Sequence, residues 1–188
     1  WLTRKAYGGA KKLVAVSRYA AEILKESVGK DVEVIYDGCR EQKHTCLDKE
    51  VKINNVFDEY PKIGHVGAFD DNVKGQGTLI EAFLLLLETY PNARLYLIGD
   101  GKDFGLFQEK YKLQKEITFV GKVDNVFEWL LTFDVFCFPS RIEALGSSVL
   151  EAMSQDVPVI VSNAGGLPEL IGNDERGIVV ANSSADSW

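Results

Sequence analysis

Ser140-Arg-Ile-Glu-Ala-Leu-Gly-Ser-Ser-Val-Leu-Glu-Ala-Met153 is the stretch on which the reading of this chain turns. An apolar run, Asp134-Val-Phe-Cys-Phe138, precedes it and is closed by Pro139. That run reads as a buried strand. Gly146-Ser-Ser148 reads as a helix start, and Val149, Leu150 and Met153 give the helix an apolar face. The order is therefore strand, loop, helix N-terminus. Glu143 in the loop and Glu151 in the helix bracket that N-terminus, with seven residues between them.

Such an arrangement suits a ligand. A helix N-terminus presents unpaired N–H groups and about half a positive charge, which favours a phosphate. Glycine at 146 permits close approach to the backbone. Carboxylates beside a phosphate repel it, so they serve another part of the ligand. A carboxylate accepts hydrogen bonds from paired sugar hydroxyls, each worth about 1.5–3 kcal/mol. A phosphate with a sugar at each end, as in a nucleotide sugar, uses all three features. A second reading of the same residues stays open: Ser148-Val-Leu-Glu151 also has the spacing of a capping box.

Working outward, six apolar runs alternate with helical stretches. The strands are Lys62–Gly67, Ala93–Ile98, Glu116–Val120, Asp134–Phe138, Val157–Val161 and Gly177–Val180. Helices are expected over Gly77–Tyr90, Asp103–Leu113, Asn125–Thr132, from Gly146, and after Gly165-Gly166 with Pro168 in the first turn. Continuous apolar strands with intervening helices predict an α/β fold, a Rossmann-like, doubly wound parallel sheet. Its ligand would lie at the carboxyl ends of the strands. The turns there are 67–75, Gly99–Gly101, Gly121-Lys122, Pro139–Glu143 and Asn163–Gly166.

Residues 1–38 read as a smaller βαβ piece: a strand at Lys12–Val16, a helix from Arg18 to Val28 capped by Ser17, and a strand at Val32–Tyr36. Two strands and a helix make no core of their own. Residues 39–60 are polar and irregular and read as a linker, which leaves 61–188 as the main domain. The chain starts at Trp1 and stops at Trp188, and is expected to be part of something longer.

Composition excludes several functions. The 188 residues carry a net charge of −7, which argues against nucleic acid or an anionic membrane as a partner. No apolar run has the length of a membrane span. Three cysteines without regular spacing suggest reduced thiols and a cytoplasmic setting. Cys39, His44 and Cys46 supply only three ligands in no finger spacing, so zinc is not expected. Gly99-x-Gly101-x-x-x-Gly105 resembles a dinucleotide fingerprint, but Phe119-Val-Gly-Lys122 stands where its acidic residue belongs. Walker and hydrolase motifs are missing, and His65, inside an apolar strand, reads as a core residue.

Taken together, several motifs in order resemble the retaining family-4 glycosyltransferases of the GT-B fold. They are Pro139-Ser-x-x-Glu143-Ala-Leu-Gly146-x-x-x-Leu-Glu151-Ala-Met153 and Val157-Pro-Val-Ile-Val161-x-x-x-Gly165-Gly166-x-Pro168-Glu169. Lys74-Gly75, Leu97–Gly101 and Phe119–Gly121 support them. The resemblance implies that 61–188 is the C-terminal, nucleotide-sugar donor-binding domain, and 1–38 the tail of an acceptor domain. It implies that Glu151 holds the donor ribose, and that Glu143, Ala144, Leu145 and Gly146 hold the donor sugar. Lys74, Gly67, Gly146, Ser147 and Ser148 would bind the diphosphate. Gly101, Val120, Gly121 and Lys122 would border the base. Groups acting on the acceptor would lie in the other domain, and neither metal nor cofactor is implied.

The implied reaction passes a hexose to an acceptor hydroxyl in polysaccharide, lipopolysaccharide or glycolipid synthesis. The acceptor would be a carbohydrate or a lipid-linked one, and the whole protein could sit peripherally at a membrane. This chain alone is expected to bind nucleotide without transferring sugar. It departs from the family pattern at Ala68, where an arginine is usual, at Ala144, and at Tyr36-Asp-Gly38. Arg141 is the candidate replacement cation. A nucleotide-binding or scaffold module that has lost catalysis is the alternative.

Overall fold

In the computed structural model, residues 7, 9–39, 60–172, 176–181 and 184–188 are described. The first element is β1 (Val14–Ala15), which pairs in parallel with β2 (Glu33–Val34) across the crossover helix α1 (Arg18–Val28). Ser17 caps α1 by accepting a hydrogen bond from Ala20 N at 3.0 Å, and Gly29 closes it in the left-handed conformation. Val14 on β1, Ile23 on α1 and Ile35 just after β2 are all exposed.

The main sheet runs β3 (Lys62–Val66), β4 (Arg94–Ile98), β5 (Ile117–Gly121), β6 (Val135–Phe138), β7 (Val159–Ser162) and β8 (Ile178–Val180). Its spatial order is β5-β4-β3-β6-β7-β8, all parallel. The connecting helices are α2 (Asp71–Lys74), α3 (Gln76–Thr89), α4 (Phe104–Lys110), α5 (Val126–Leu130), α6 (Ser147–Ser154) and α7 (Leu167–Ile171). This is the doubly wound sheet expected from the apolar runs. Those runs are continuous because both faces of the sheet are covered. One core cluster joins Leu130, Phe133, Phe136, Phe138 and Val149 with Leu167, and the other joins Leu79, Ile80, Phe83, Leu95 and Leu97 with Phe107.

Strand order reverses between β3 and β6, the two middle strands. A crevice opens at the carboxyl ends of the strands at such a switch point. The loop after β3 and the loop after β6 therefore face each other. They are in contact: Ser140 Oγ donates to Val73 O at 3.0 Å and Arg141 N donates to the same carbonyl at 2.7 Å.

Two local expectations are corrected. The loop after β3 holds a helical turn, α2, which its polar residues did not advertise. The capping box at Ser148–Glu151 does not form: α6 begins at Ser147, Gly146 occupies the cap position, and no side chain caps it. At φ +105, Gly146 turns the chain into the helix earlier than the serine pattern implied. The zinc candidates His44 and Cys46 and most of the expected linker fall outside the described residues.

Candidate functional site

Lys74 ends α2 and Glu143 lies in the loop after β6. Their side chains meet across the switch point, Nζ to Oε2 at 2.5 Å, both about four-fifths buried. The Lys74 ammonium also lies 5.1 Å from the centre of the Phe138 ring. An ammonium carries three N–H groups, so Lys74 can hold Glu143 and a phosphate oxygen together. A ligand arriving here meets a cation and a carboxylate already fixed against each other.

Behind Lys74 lies His65, fully buried and stacked 5.6 Å from Phe138. Its Nδ1–H donates to Cys137 O at 3.0 Å, which leaves Nε2 to accept from the Gln76 amide at 3.4 Å. Burial pulls its pKa from 6.5 down to about 4, so the ring is neutral and structural, as its strand position implied. The unfolded chain protonates this residue near 6.5 and the folded protein only near 4. Stability from this residue is therefore complete above pH 6.5 and is lost as the pH falls toward 4, about 3 kcal/mol in all. His65→Asn keeps a donor toward Cys137 O and cannot titrate. Urea unfolding at pH 7 and 4.5 is expected to show a smaller loss on acidification in His65→Asn than in wild type. An equal loss would mean that other groups carry the acid sensitivity.

Beside the ion pair, α6 presents the first turn of its backbone. Its Val149 and Leu150 N–H groups bond to Gly146 O at 3.0 and 3.1 Å, while no side chain caps the N–H groups ahead of them. The contrast with α3 is direct: there Asp71 Oδ1 accepts from Gly77 N at 2.6 Å and fills the N-terminus from within the protein. A carboxylate at α3 closes that helix to anions. The α6 terminus, with Ser147 exposed and Ser148 half-buried, keeps its dipole for a ligand.

Glu151 stands one turn further along α6. It lines a cavity of about 270 Å³ with Ser147, Leu150, Phe127, Gly38 and Cys39. Burial raises the Glu151 carboxyl above its ordinary value. Phe127 and Leu150 give this cavity an apolar wall beside one partly buried carboxylate. None of Phe127, Gly38 and Cys39 was expected at the ligand site from the sequence: Cys39 was weighed only as a zinc ligand and Gly38 only as part of the Tyr36-Asp-Gly38 segment. They reach the cavity from α5 and from the segment after β2, which no local spacing reveals.

The turns around the crevice connect in series. Gly99 N donates to Gly121 O at 2.9 Å, Gly67 N to Ile98 O at 3.0 Å, and Phe69 N to Asp100 O at 3.0 Å. Gly67, Gly101 and the Val120–Lys122 turn thus share the carboxyl edge with Lys74 and Glu143. On the other side Gly166 N donates to Glu143 O at 3.1 Å. Leu145 is buried and Ala144 exposed.

Arg141 does not turn toward α6: its guanidinium donates to Thr78 Oγ1 at 3.3 Å, on α3. Ala68 is exposed and its carbonyl accepts from the Gln76 amide at 2.8 Å. Ala68→Arg would add a cation at the first strand's turn. It is expected to tighten nucleoside-diphosphate binding by about tenfold, read by calorimetric titration. Unchanged affinity would place the diphosphate elsewhere.

Glu169, on α7, reaches a different element. Its Oε2 accepts from Arg18 N and from the Tyr36 hydroxyl, and its Oε1 from Tyr19 N, each at 2.9 Å. Burial works to raise this carboxyl, but those donors together hold it below the usual 4.5.

The sequence pattern described as "Glycosyl transferases group 1" matches residues 48–188. The chain belongs to that family. Among curated relatives of this group 1 glycosyl transferase chain is sulfoquinovosyl transferase SQD2 of Arabidopsis thaliana. It is 32% identical over 170 residues, spanning 89% of this chain and 31% of the relative. N-acetyl-alpha-D-glucosaminyl L-malate synthase of Bacillus anthracis is 33% identical over 153 residues, spanning 79% of this chain and 40% of the relative. The chain thus spans about a third to two-fifths of the length of these curated relatives.

Among solved structures, Anabaena Alr3699/HepE in complex with UDP and glucose superposes with a TM-score of 0.78 at 21% identity, covering 97% of this chain and 52% of that one. Sucrose-phosphate synthase from Thermosynechococcus elongatus superposes at 0.80 with 24% identity, covering 98% and 48%. These likenesses place the fold among GT-B glycosyltransferase structures. Among the described residues no helix is long and apolar enough to cross a membrane, and no three His, Cys, Asp or Glu side chains are grouped to hold a metal ion.

Proposed function

We propose that residues 61–188 form the donor-binding domain of a retaining glycosyltransferase that moves a hexose from a nucleotide sugar to an acceptor hydroxyl. Residues 1–38 would then be the tail of the acceptor domain, joined through 39–60. The observation that carries the reading is the Lys74–Glu143 pair at the strand switch point, set beside the side-chain-free N-terminus of α6. In this reading the diphosphate lies on Gly146, Ser147, Ser148, Gly67 and Lys74. Glu143, with the backbone of Ala144, Leu145 and Gly146, holds the hexose, and Glu151 holds the ribose. The base lies toward Gly101 and Val120–Lys122. As the sugar–phosphate bond breaks, charge builds on the leaving diphosphate. Lys74 and the α6 dipole stabilise it, so no metal is required.

Relatives support a glycolipid or polysaccharide setting, since they include sulfoquinovosyl and phosphatidyl-myo-inositol mannosyl transferases. HepE, which has the same fold, has been captured with UDP-glucose. In this reading the protein works in the cytoplasm, with acceptor groups supplied by the other domain. A second reading, a nucleotide-binding module without turnover, draws on Ala68 and on the engagement of Arg141 with Thr78.

Thermal unfolding with millimolar UDP, GDP and ADP tests the donor site. One of them is expected to raise the Tm by several degrees, since ligand at a hundred times its Kd adds about 2.7 kcal/mol. No rise with any of the three would remove the basis of the proposal. Turnover of a nucleotide sugar by a chain carrying the acceptor domain would separate the enzyme from the binding module.

A further inference from the structure

The donor reading leaves Glu169 without a role. Its carboxylate lies at the N-terminus of α1, about 150 residues away in sequence, and α1 has no acidic residue in its own first turn. Arg18 and Tyr19 supply the first two N–H groups of that helix, and both go to Glu169. An external carboxylate here meets the orphan donors and the positive end of the dipole together.

The clamp does not end at α1. Ser17, fully buried, donates its hydroxyl to Ala144 O at 2.6 Å while accepting from Ala20 N. On the α7 side, Gly166 N holds Glu143 O. Two consecutive carbonyls of the Glu143–Gly146 loop are therefore gripped from two sides. One grip comes from the turn that leads into Glu169, the other from the helix that Glu169 caps. The spacing is tight: a Cβ on Gly166 would lie 2.2 Å from Ala144 O and 3.0 Å from Ser17 Oγ.

We propose that Glu169 is a positioning residue for the Glu143–Gly146 loop. By locking the α1 N-terminus onto α7 it seats Ser17 on the Ala144 carbonyl, and so fixes how the loop faces a sugar ring. The role in sugar binding rests on the donor-site reading above. Gly146 belongs both to this loop and to the proposed diphosphate site, so the effect of Glu169 is expected to be larger at the hexose end than at the ribose end on Glu151.

Hydrogen–deuterium exchange on the whole chain, as wild type, Glu169→Gln and Ser17→Ala, tests the lock without any ligand. Both substitutions are small. Glu169→Gln keeps the side-chain shape but turns an acceptor into a donor facing donors. Ser17→Ala breaks the link from the other end. In each, amides of the loop peptide over 143–146 are expected to exchange about tenfold faster, with the β3–β7 strands unchanged. Titration with UDP and UDP-glucose follows. UDP affinity is expected to fall less than the extra affinity contributed by glucose. Unchanged loop exchange in either variant would overturn the proposal and leave Glu169 as a staple for α1 alone. If wild type binds neither UDP nor UDP-glucose while the loop still loosens in both variants, the lock stands and the donor reading fails for these ligands.

Discussion

Glu151→Ala is expected to erase nucleotide-dependent stabilisation while leaving the unliganded protein as stable as before, or slightly more so. The two halves of this expectation have different causes. A carboxylate accepting two ribose hydroxyls makes two charge-assisted bonds, each worth about 1.5–3 kcal/mol. Losing both costs at least a hundredfold in affinity, with about 1.4 kcal/mol to each factor of ten. Without ligand, Glu151 is half-buried and its carboxyl is raised by burial, so the charged form is under strain at neutral pH. Removing it relieves that cost. A helix-capping role predicts the reverse, a loss of about 1 kcal/mol without ligand and an intact nucleotide response. Thermal unfolding of wild type and variant with and without UDP, GDP and ADP separates the two patterns. Glu151→Gln, which keeps one acceptor, should fall between them.

Gly165→Ala should be among the most destabilising single substitutions in the chain. At φ +57 Gly165 lies in the left-handed region, which costs an L residue about 1–2 kcal/mol. More important is the neighbour: a Cβ there would lie 1.7 Å from the carbonyl oxygen of Glu143. No rotamer relieves a clash between Cβ and backbone, so either the turn after β7 or the Glu143 loop must move. The combined cost is expected to reach about 3 kcal/mol or more. That corresponds to a fall in Tm of about 6–12 °C for a chain of this size. Chemical denaturation measures the loss directly. A ΔΔG under about 1 kcal/mol would mean the two loops are not in the contact described.

The sheet could be read from the sequence because its strands are buried on both faces and announce themselves as apolar runs. Phe136 and Phe138 in β6 and Leu95 and Leu97 in β4 are all essentially fully buried. What could not be read was spatial neighbourhood. Lys74 and Glu143 were separate candidates with separate tasks, and nothing in their local spacing says that they touch. They touch because β3 and β6 are adjacent, a property of strand order. Ser148 and Glu151 misled in the opposite way. The capping-box spacing is real, but the helix starts earlier, at a glycine whose positive φ no spacing rule reports. The contact of Glu169 with Arg18 joins the two ends of the chain and leaves no local trace at either.

Strand order also has a consequence during synthesis. The middle strand, β3, gains one neighbour when β4 follows it, but the other neighbour is β6, and Asp134, just ahead of β6, lies 72 positions beyond Lys62. At about 5–20 residues per second a ribosome needs roughly 4–15 s to make that length. For those seconds the centre of the future sheet has an open hydrogen-bonding edge, the condition under which nascent chains pair with one another. Lys62, at the mouth of that edge, sets a charge against such pairing. The vulnerable interval therefore belongs to a middle strand of the finished sheet, and slowing translation between β4 and β6 should lower the yield of native protein more than slowing it anywhere after β6.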